Sequence, residues 1–238
     1  MPSNFERKLF PDDVSVAAAA ARDWLALLQQ SPDLHTVALS GGRITKHFFA
    51  AFANLAKSSG ASLSNVHFFW ADERCLDPSD PESNFRLARE NLFLPLDIAA
   101  DKIHRLKGEW LPPAAVAEAN QDILSVVPKD GAGMPVLDLI FLGLGEDGHI
   151  ASLMPNASTA VLESREPYVH VSNSPKPPPD RLTLTYPVLA AARQVWMLAT
   201  GAGKTEALKN SVSPAGSTPF ASVLRSRGQT IIYTDIPA

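Results

Sequence analysis

Cysteine is almost absent: Cys75 is the only one in 238 residues. No disulfide can form within the chain, which fits a reducing compartment, and an inert packed thiol is the plain reading of Cys75. Basic charge is also short. With 21 lysines and arginines against 25 acids, the formal charge is −4. That balance argues against nucleic acid or an anionic membrane as the main partner. There is no long apolar run. The opening stretch MPSNFERKLFPDDVSVAAAA has an alanine tract among acids and Arg22. It reads neither as a signal peptide nor as a membrane span, and a cytoplasmic protein is expected. H-E-x-x-H, Cys/His clusters and G-x-S-x-G are missing, which removes the usual zinc-hydrolase and serine-elbow patterns.

Apolar material is plentiful, at 45% of residues, enough for a sizeable core. Helices are expected over 13–30, with Asp12 or Asp13 as N-cap, and over about 45–57, 84–93 (N-cap Ser83), 112–127, 203–210 and 217–226. Strand character falls at 35–40, 65–70, 136–145, 168–172, 181–186, 194–200 and 230–235. VLDLIFLGLG (136–145) is continuously apolar, as suits a central parallel strand covered on both faces. The alternation of strand and helix predicts an α/β fold. We expect a single domain over 1–238, a doubly wound, Rossmann-like, mainly parallel sheet with helices on both faces. The prolines at 175 and 177–179 read as a surface loop.

Four polar loops end predicted strands: SGGR, WADER, GEDGH and TGAGK. In open α/β sheets ligands bind at that edge. Gly143, Gly145 and Gly148 satisfy G-x-G-x-x-G, but Glu146 and Asp147 would repel a pyrophosphate and Pro155 truncates the helix such a loop needs. A metal is not expected, since no third ligand lies near Asp147 and His149. Acid–base chemistry fits best: imidazole titrates near neutrality, and Asp147 is close enough to orient it, with a capping Asp147 and a structural His149 as the bland alternative. In LSGGRITK, Gly41 and Gly42 expose amides at a helix start, and Arg43 and Lys46 add charge. TGAGK repeats that design around Lys204, although Leu198 stands where a Walker A loop has its first glycine. Arg74, beside Asp72 and Glu73, and Arg181, after the prolines, are further anion ligands or, more plainly, ion-pair and strand-edge charges. Together they suggest a small phosphorylated substrate.

The order of these motifs resembles the 6-phosphogluconolactonase family, cytosolic lactonases of the pentose phosphate pathway. It runs S-G-G, W-x-D-E-R, S-N, L-G-x-G-x-D-G-H-x-A-S-L-x-P, P-x-x-R-x-T and G-x-x-K, spanning about 37–226. The resemblance implies hydrolysis of 6-phospho-D-glucono-1,5-lactone with His149 as general base, Arg74 offsetting developing charge, and Asp147 orienting the imidazole or binding substrate. Gly41, Gly42, Lys204 and Arg181 would hold the sugar phosphate, and Asp72 counts with the substrate-binding set. No metal or organic cofactor is implied, and a monomer or small homo-oligomer is expected. One departure stands out. The family's glycine loop commonly reads S-G-G-S-T-P, whereas here Arg43, Ile44 and Thr45 follow the glycines, so Arg43 would compensate by charge or Thr45 would supply the hydroxyl. Two rivals remain. One is an aminosugar-phosphate deaminase or isomerase on the same fold, against which the run Ala151-Ser152-Leu153-Met154-Pro155 speaks. The other is a non-catalytic sugar-phosphate sensor.

Overall fold

The computed structural model describes residues 5–237. Six parallel strands form the main sheet in the order β1-β9-β8-β5-β2-β3. They are β1 (Phe5–Leu9), β2 (His35–Leu39), β3 (Val66–Trp70), β5 (Leu139–Gly143), β8 (Gln194–Ala199) and β9 (Thr230–Thr234). The longer helices are α1 (Asp13–Leu28), α2 (Arg43–Ser59), α5 (Pro112–Val126), α8 (Thr205–Val212) and α9 (Pro219–Ser226). The shorter ones are α3 (Asn84–Ala88), α4 (Leu94–Leu96), α6 (Thr159–Leu162) and α7 (Tyr186–Ala191). The mainly parallel α/β reading therefore holds. Among the described residues no helix is long and apolar enough to cross a membrane.

Local chemistry sets several boundaries. Asp12 caps α1 by accepting from the Ser15 amide at 2.7 Å, and Gly60 ends α2 in a left-handed conformation, φ +65°. Ser83 caps α3 through the Arg86 amide. The expected helix over 84–93 is only partly regular: Arg89–Phe93 is a π-helical turn. Pro95 has no amide to offer Asn91 and its ring would crowd that carbonyl, so a widened turn is the low-cost solution.

The aromatic core lies under β2 and β5. Trp24 of α1 is fully buried, stacked on Phe52 at 3.9 Å between centroids and edge-on to Phe141 at 5.2 Å. Each such side chain contributes about 1.5–3 kcal/mol by leaving water. Crossovers of parallel strands are right-handed. The rightward steps through α1 and α2 and the leftward step through α8 and α9 therefore put these pairs on opposite faces, and within each pair the helices pack together.

Two features differ from the sequence reading. Phe5–Leu9 is an edge strand, parallel to β9, which its mixed FERKL pattern did not signal. A second sheet of three antiparallel strands also exists, ordered β4-β7-β6: β4 (Asp72–Arg74), β7 (Arg181–Leu184) and β6 (Tyr168–Val171). The chain passes from one sheet to the other at Ala71, whose amide donates to Leu39 of β2 and whose carbonyl accepts from Leu184 of β7. So the motif expected as a loop ending a strand is the first strand of the small sheet. Sheet order reverses between β2 and β5: β2 leads rightward to β3, and β5 leads leftward to β8. The crevice outside the carboxyl ends of these two strands is where ligands bind in such folds.

Candidate active site

That crevice is a cleft of about 380 Å³, within the size range of small-ligand sites. The loop after β5 is wound tightly: the Gly148 amide donates to Gly145 O, and the Gly145 amide to His149 O. Gly148 has φ +82°, and a Cβ there would strike Thr218. A Cβ on Gly145 would overlap the His149 ring and the Asp147 carboxylate, so glycine is what lets the imidazole lie over the loop. His149 Nδ1 is 2.5 Å from Asp147 Oδ1. A carboxylate only accepts, so Nδ1 carries the proton and Nε2 keeps its lone pair. Among the described residues Nε2 has no hydrogen-bond partner, and His149 lines the cleft. Burial pushes the Asp147 carboxyl up, but the His149 hydrogen bond and the charges of His149 and Lys176 outweigh it, and the group sits below its ordinary value.

One wall is a buried polar chain. Ser152 Oγ donates to Asp72 Oδ2 at 2.7 Å, and Asn84 Nδ2 donates to the Asp72 carbonyl at 2.8 Å. Asn84 in turn fills the space where Gly41 has no side chain. Beneath it Glu73 is almost fully buried. Its carboxylate accepts from the amides of Arg74, Asn84 and Phe85 and from Ser83 Oγ. Burial pushes the Glu73 carboxyl up to about 6 against those amides. Glu73 thus ties β4 to the start of α3 and sets Asn84 in the cleft. Ala151, at φ +47°, turns the chain so that Ser152 points inward; it is no exposed nucleophile, being fully buried.

Cations line the rest: Arg43, Arg74, Lys176, Arg181 and Lys204, with Glu146 the acid among them. Lys204 is held below the usual lysine value by burial, then by the charge of Arg43 and, more weakly, of Lys176, with Glu146 and Asp235 opposing. Arg74 Nη1 donates to the Glu82 carbonyl at 2.5 Å, and its Nε is buried without a hydrogen-bond partner. Arg181 behaves differently from the sequence expectation. Its Nε donates to Pro178 O and its Nη2 to Lys176 O and Pro177 O, while Nη1 is 4.0 Å from Asp72. Most of its guanidinium holds the proline loop. That loop presents Lys176, which the sequence reading passed over.

Of the residues singled out from sequence, Gly41, Gly42, Arg43, Asp72, Arg74, His149, Arg181 and Lys204 line the cleft, and Asp147 backs the imidazole. Thr45 does not line it: its hydroxyl donates to Gly41 O at 2.9 Å beneath the loop. Lys46 is exposed on α2 outside the cleft. Asn84, Glu146 and Lys176 join the lining without having been chosen. The S-N pair flagged Asn84 as a position but not as a lining residue. Among the described residues no three His, Cys, Asp or Glu side chains converge into a metal-binding group.

The chain matches the family model described as glucosamine-6-phosphate isomerases/6-phosphogluconolactonase over residues 11–232. It is 34% identical over 235 residues to a 6-phosphogluconolactonase of Streptomyces coelicolor, covering 95% of this chain and 90% of that protein. A 6-phosphogluconolactonase of Mycobacterium tuberculosis is 37% identical over 225 residues, covering 90% and 88%. Among solved structures, the 6-phosphogluconolactonase of Trypanosoma cruzi superposes with a TM-score of 0.83 at 25% identity, covering 98% and 96% of the two chains.

Proposed function

Since the chain belongs to the family of glucosamine-6-phosphate isomerases and 6-phosphogluconolactonases, we propose that it hydrolyses 6-phospho-D-glucono-1,5-lactone to 6-phosphogluconate in the pentose phosphate pathway. One observation carries the reading: an imidazole held by a carboxylate, with its second nitrogen free, opens onto a cleft lined by five cations.

The steps follow from that arrangement. His149 Nε2 takes a proton from a water, whose oxygen adds to the lactone carbonyl. Arg74 offsets the charge that grows on the carbonyl oxygen. When the tetrahedral species collapses, the bond from the carbonyl carbon to the ring oxygen breaks, and protonated His149 returns the proton to that oxygen. The new carboxylic acid then ionises to carboxylate. Asp147 keeps the proton on Nδ1 and steadies the imidazolium between the two transfers. The amides of the glycine loop at the start of α2, with Arg43 and Lys204, hold the phosphate. In this chain, with Thr45 turned onto Gly41 O, Arg43 carries the role a loop hydroxyl would have. A lactone is an activated ester, so one general base, worth roughly 10²–10⁴-fold, supplies much of what is needed.

The test generates the lactone in place from glucose 6-phosphate and follows 6-phosphogluconate through its NADP-linked dehydrogenase, beside an enzyme-free blank. Wild type should beat the blank and His149→Ala should not. Wild type equal to the blank would discard the lactonase reading, and ammonia release from glucosamine 6-phosphate would be assayed instead.

A further inference from the structure

The proline loop supplies a cation whose placement the hydrolysis scheme does not use. Lys176 Nζ lies 3.8 Å from Asp147 Oδ1, the same oxygen that accepts from His149. Its charge also bears on Lys204. The ammonium is thus attracted by one carboxylate and repelled by another ammonium. At 3.8 Å it makes no hydrogen bond to Asp147, and nearly half of its side chain is exposed. Its backbone is the opposite: Arg181, a buried side chain of β7, holds the Lys176, Pro177 and Pro178 carbonyls. A fixed root with a loosely held, charged tip is what a reorienting contact requires.

We propose that Lys176 is a positioning residue serving two anions in turn: Asp147 while the cleft is empty, and the substrate's phosphate once the cleft is filled. While near Asp147, Lys176 opposes protonation of the Asp147–His149 pair. When the phosphate arrives between Lys204 and the proline loop, it relieves the repulsion between the two ammonium groups and draws Lys176 away, so the pair takes up the water's proton more readily. Substrate binding thereby sharpens the base that acts on it. The other charges in the lining are Asp72 and Arg74 on β4, Glu146 in the loop after β5 with its carboxylate toward Gly203, Lys204 in the turn after β8, Arg43 at the start of α2 and Arg181 on β7. The inference rests on the reading of His149 as general base.

The experiment compares wild type, Lys176→Met and Lys176→Arg between pH 5.5 and 9, with kcat and kcat/KM followed separately. In Lys176→Met, KM should rise about tenfold, as for loss of one charge-assisted contact to phosphate, while kcat falls less than about threefold. The acid limb of kcat/KM, which reports the free enzyme, should move up by about half a pH unit, and that of kcat, which reports the complex, should move less. Lys176→Arg should restore most of the KM. Unchanged KM, or acid limbs that move equally or not at all, would overturn the proposal. Calorimetric binding of 6-phosphogluconate gives a readout independent of turnover: about tenfold weaker binding by Lys176→Met is expected, and equal binding is fatal to the idea. A wild type that binds 6-phosphogluconate but leaves the lactone untouched would sink the reaction, and the binding comparison would still decide Lys176.

Discussion

Two histidine–carboxylate pairs in this molecule look alike and differ in what surrounds them. His149 meets Asp147 at 2.5 Å, and His104, in the loop before α5, meets Asp122 of α5 at 2.9 Å. Around His104 every hydrogen-bonding position is taken. Lys102 donates to His67 Nε2, so His67 Nδ1 carries the proton that it gives to His104 Nε2 at 2.8 Å, and His104 Nδ1 donates to Asp122. The His104 ring also stacks on Phe69 at 4.4 Å. Its imidazole is a structural connector with no lone pair to offer. His149 has the same orienting carboxylate, but its Nε2 is left open in a cationic cleft. A histidine–carboxylate pair can serve as a base only where its second nitrogen is unengaged, and of the two only His149 leaves it so.

Exchanging the two histidines is the strongest way to break this comparison. His149→Ala should lower kcat by roughly 10²–10⁴-fold, the worth of a general base, with little change in melting temperature. His104→Ala should keep kcat within about twofold of wild type. Similar losses of turnover in both variants would show that the contrast in surroundings is irrelevant. Next in size is Gly145→Ala, whose Cβ would overlap the His149 ring. A displacement of about 1 Å at a reacting group costs roughly 10²-fold, so kcat should fall by about that factor while phosphate-dependent binding survives. Wild-type kcat in Gly145→Ala would mean that the ring is not held where the loop puts it.

The contrast also explains which parts were legible in the sequence. The five parallel strands other than β1, and helix α2, announce themselves through apolar runs, and Asp12 and Ser83 through capping chemistry, because those signals are local. The pairing of Asp147 with His149 was legible for the same reason: the turn that sets one against the other lies within five residues. In the small sheet β6 and β7 were legible as strands, but β4 was not, since it is three charged residues whose strand state depends on β7, more than a hundred positions away. Nor was β1, a charged edge strand that needs β9 at the other end of the chain. Lys176 was invisible because its place depends on Arg181 gripping the loop, a use of arginine that reads from sequence as ligand binding. The His67–His104–Asp122 chain is spread over fifty-five positions, so no window of sequence shows that His104 is fully engaged while His149 is not.

Smaller effects test the structural side of the comparison. His104→Ala strands His67 and Asp122 without their partner, and leaving partly buried polar groups unmatched costs about 1–3 kcal/mol. A lower midpoint in urea with an unchanged slope would measure it, and an unchanged midpoint would deny the connector role.

The smallest expected effect concerns pH. Burial, then the charges of His104 and Lys102, hold His67 below the ordinary histidine value, with Asp101 and Asp122 pulling the other way. A proton added at His67 Nε2 would face the Lys102 ammonium, so the chain is complete only when the His67 ring is neutral. The folded state therefore binds the proton less readily than the unfolded chain. Its contribution to stability is present above the unfolded value of about 6.5 and is lost as pH falls below it. Wild type should melt at a lower temperature at pH 5.5 than at pH 7. His67→Gln keeps an acceptor and a donor but cannot titrate, so it should lose less over the same interval. Because His67 is only partly buried, solvent screens the difference to a small one. Equal losses in the two proteins would assign the acid sensitivity to other groups and leave the His67–His104–Asp122 chain as packing alone.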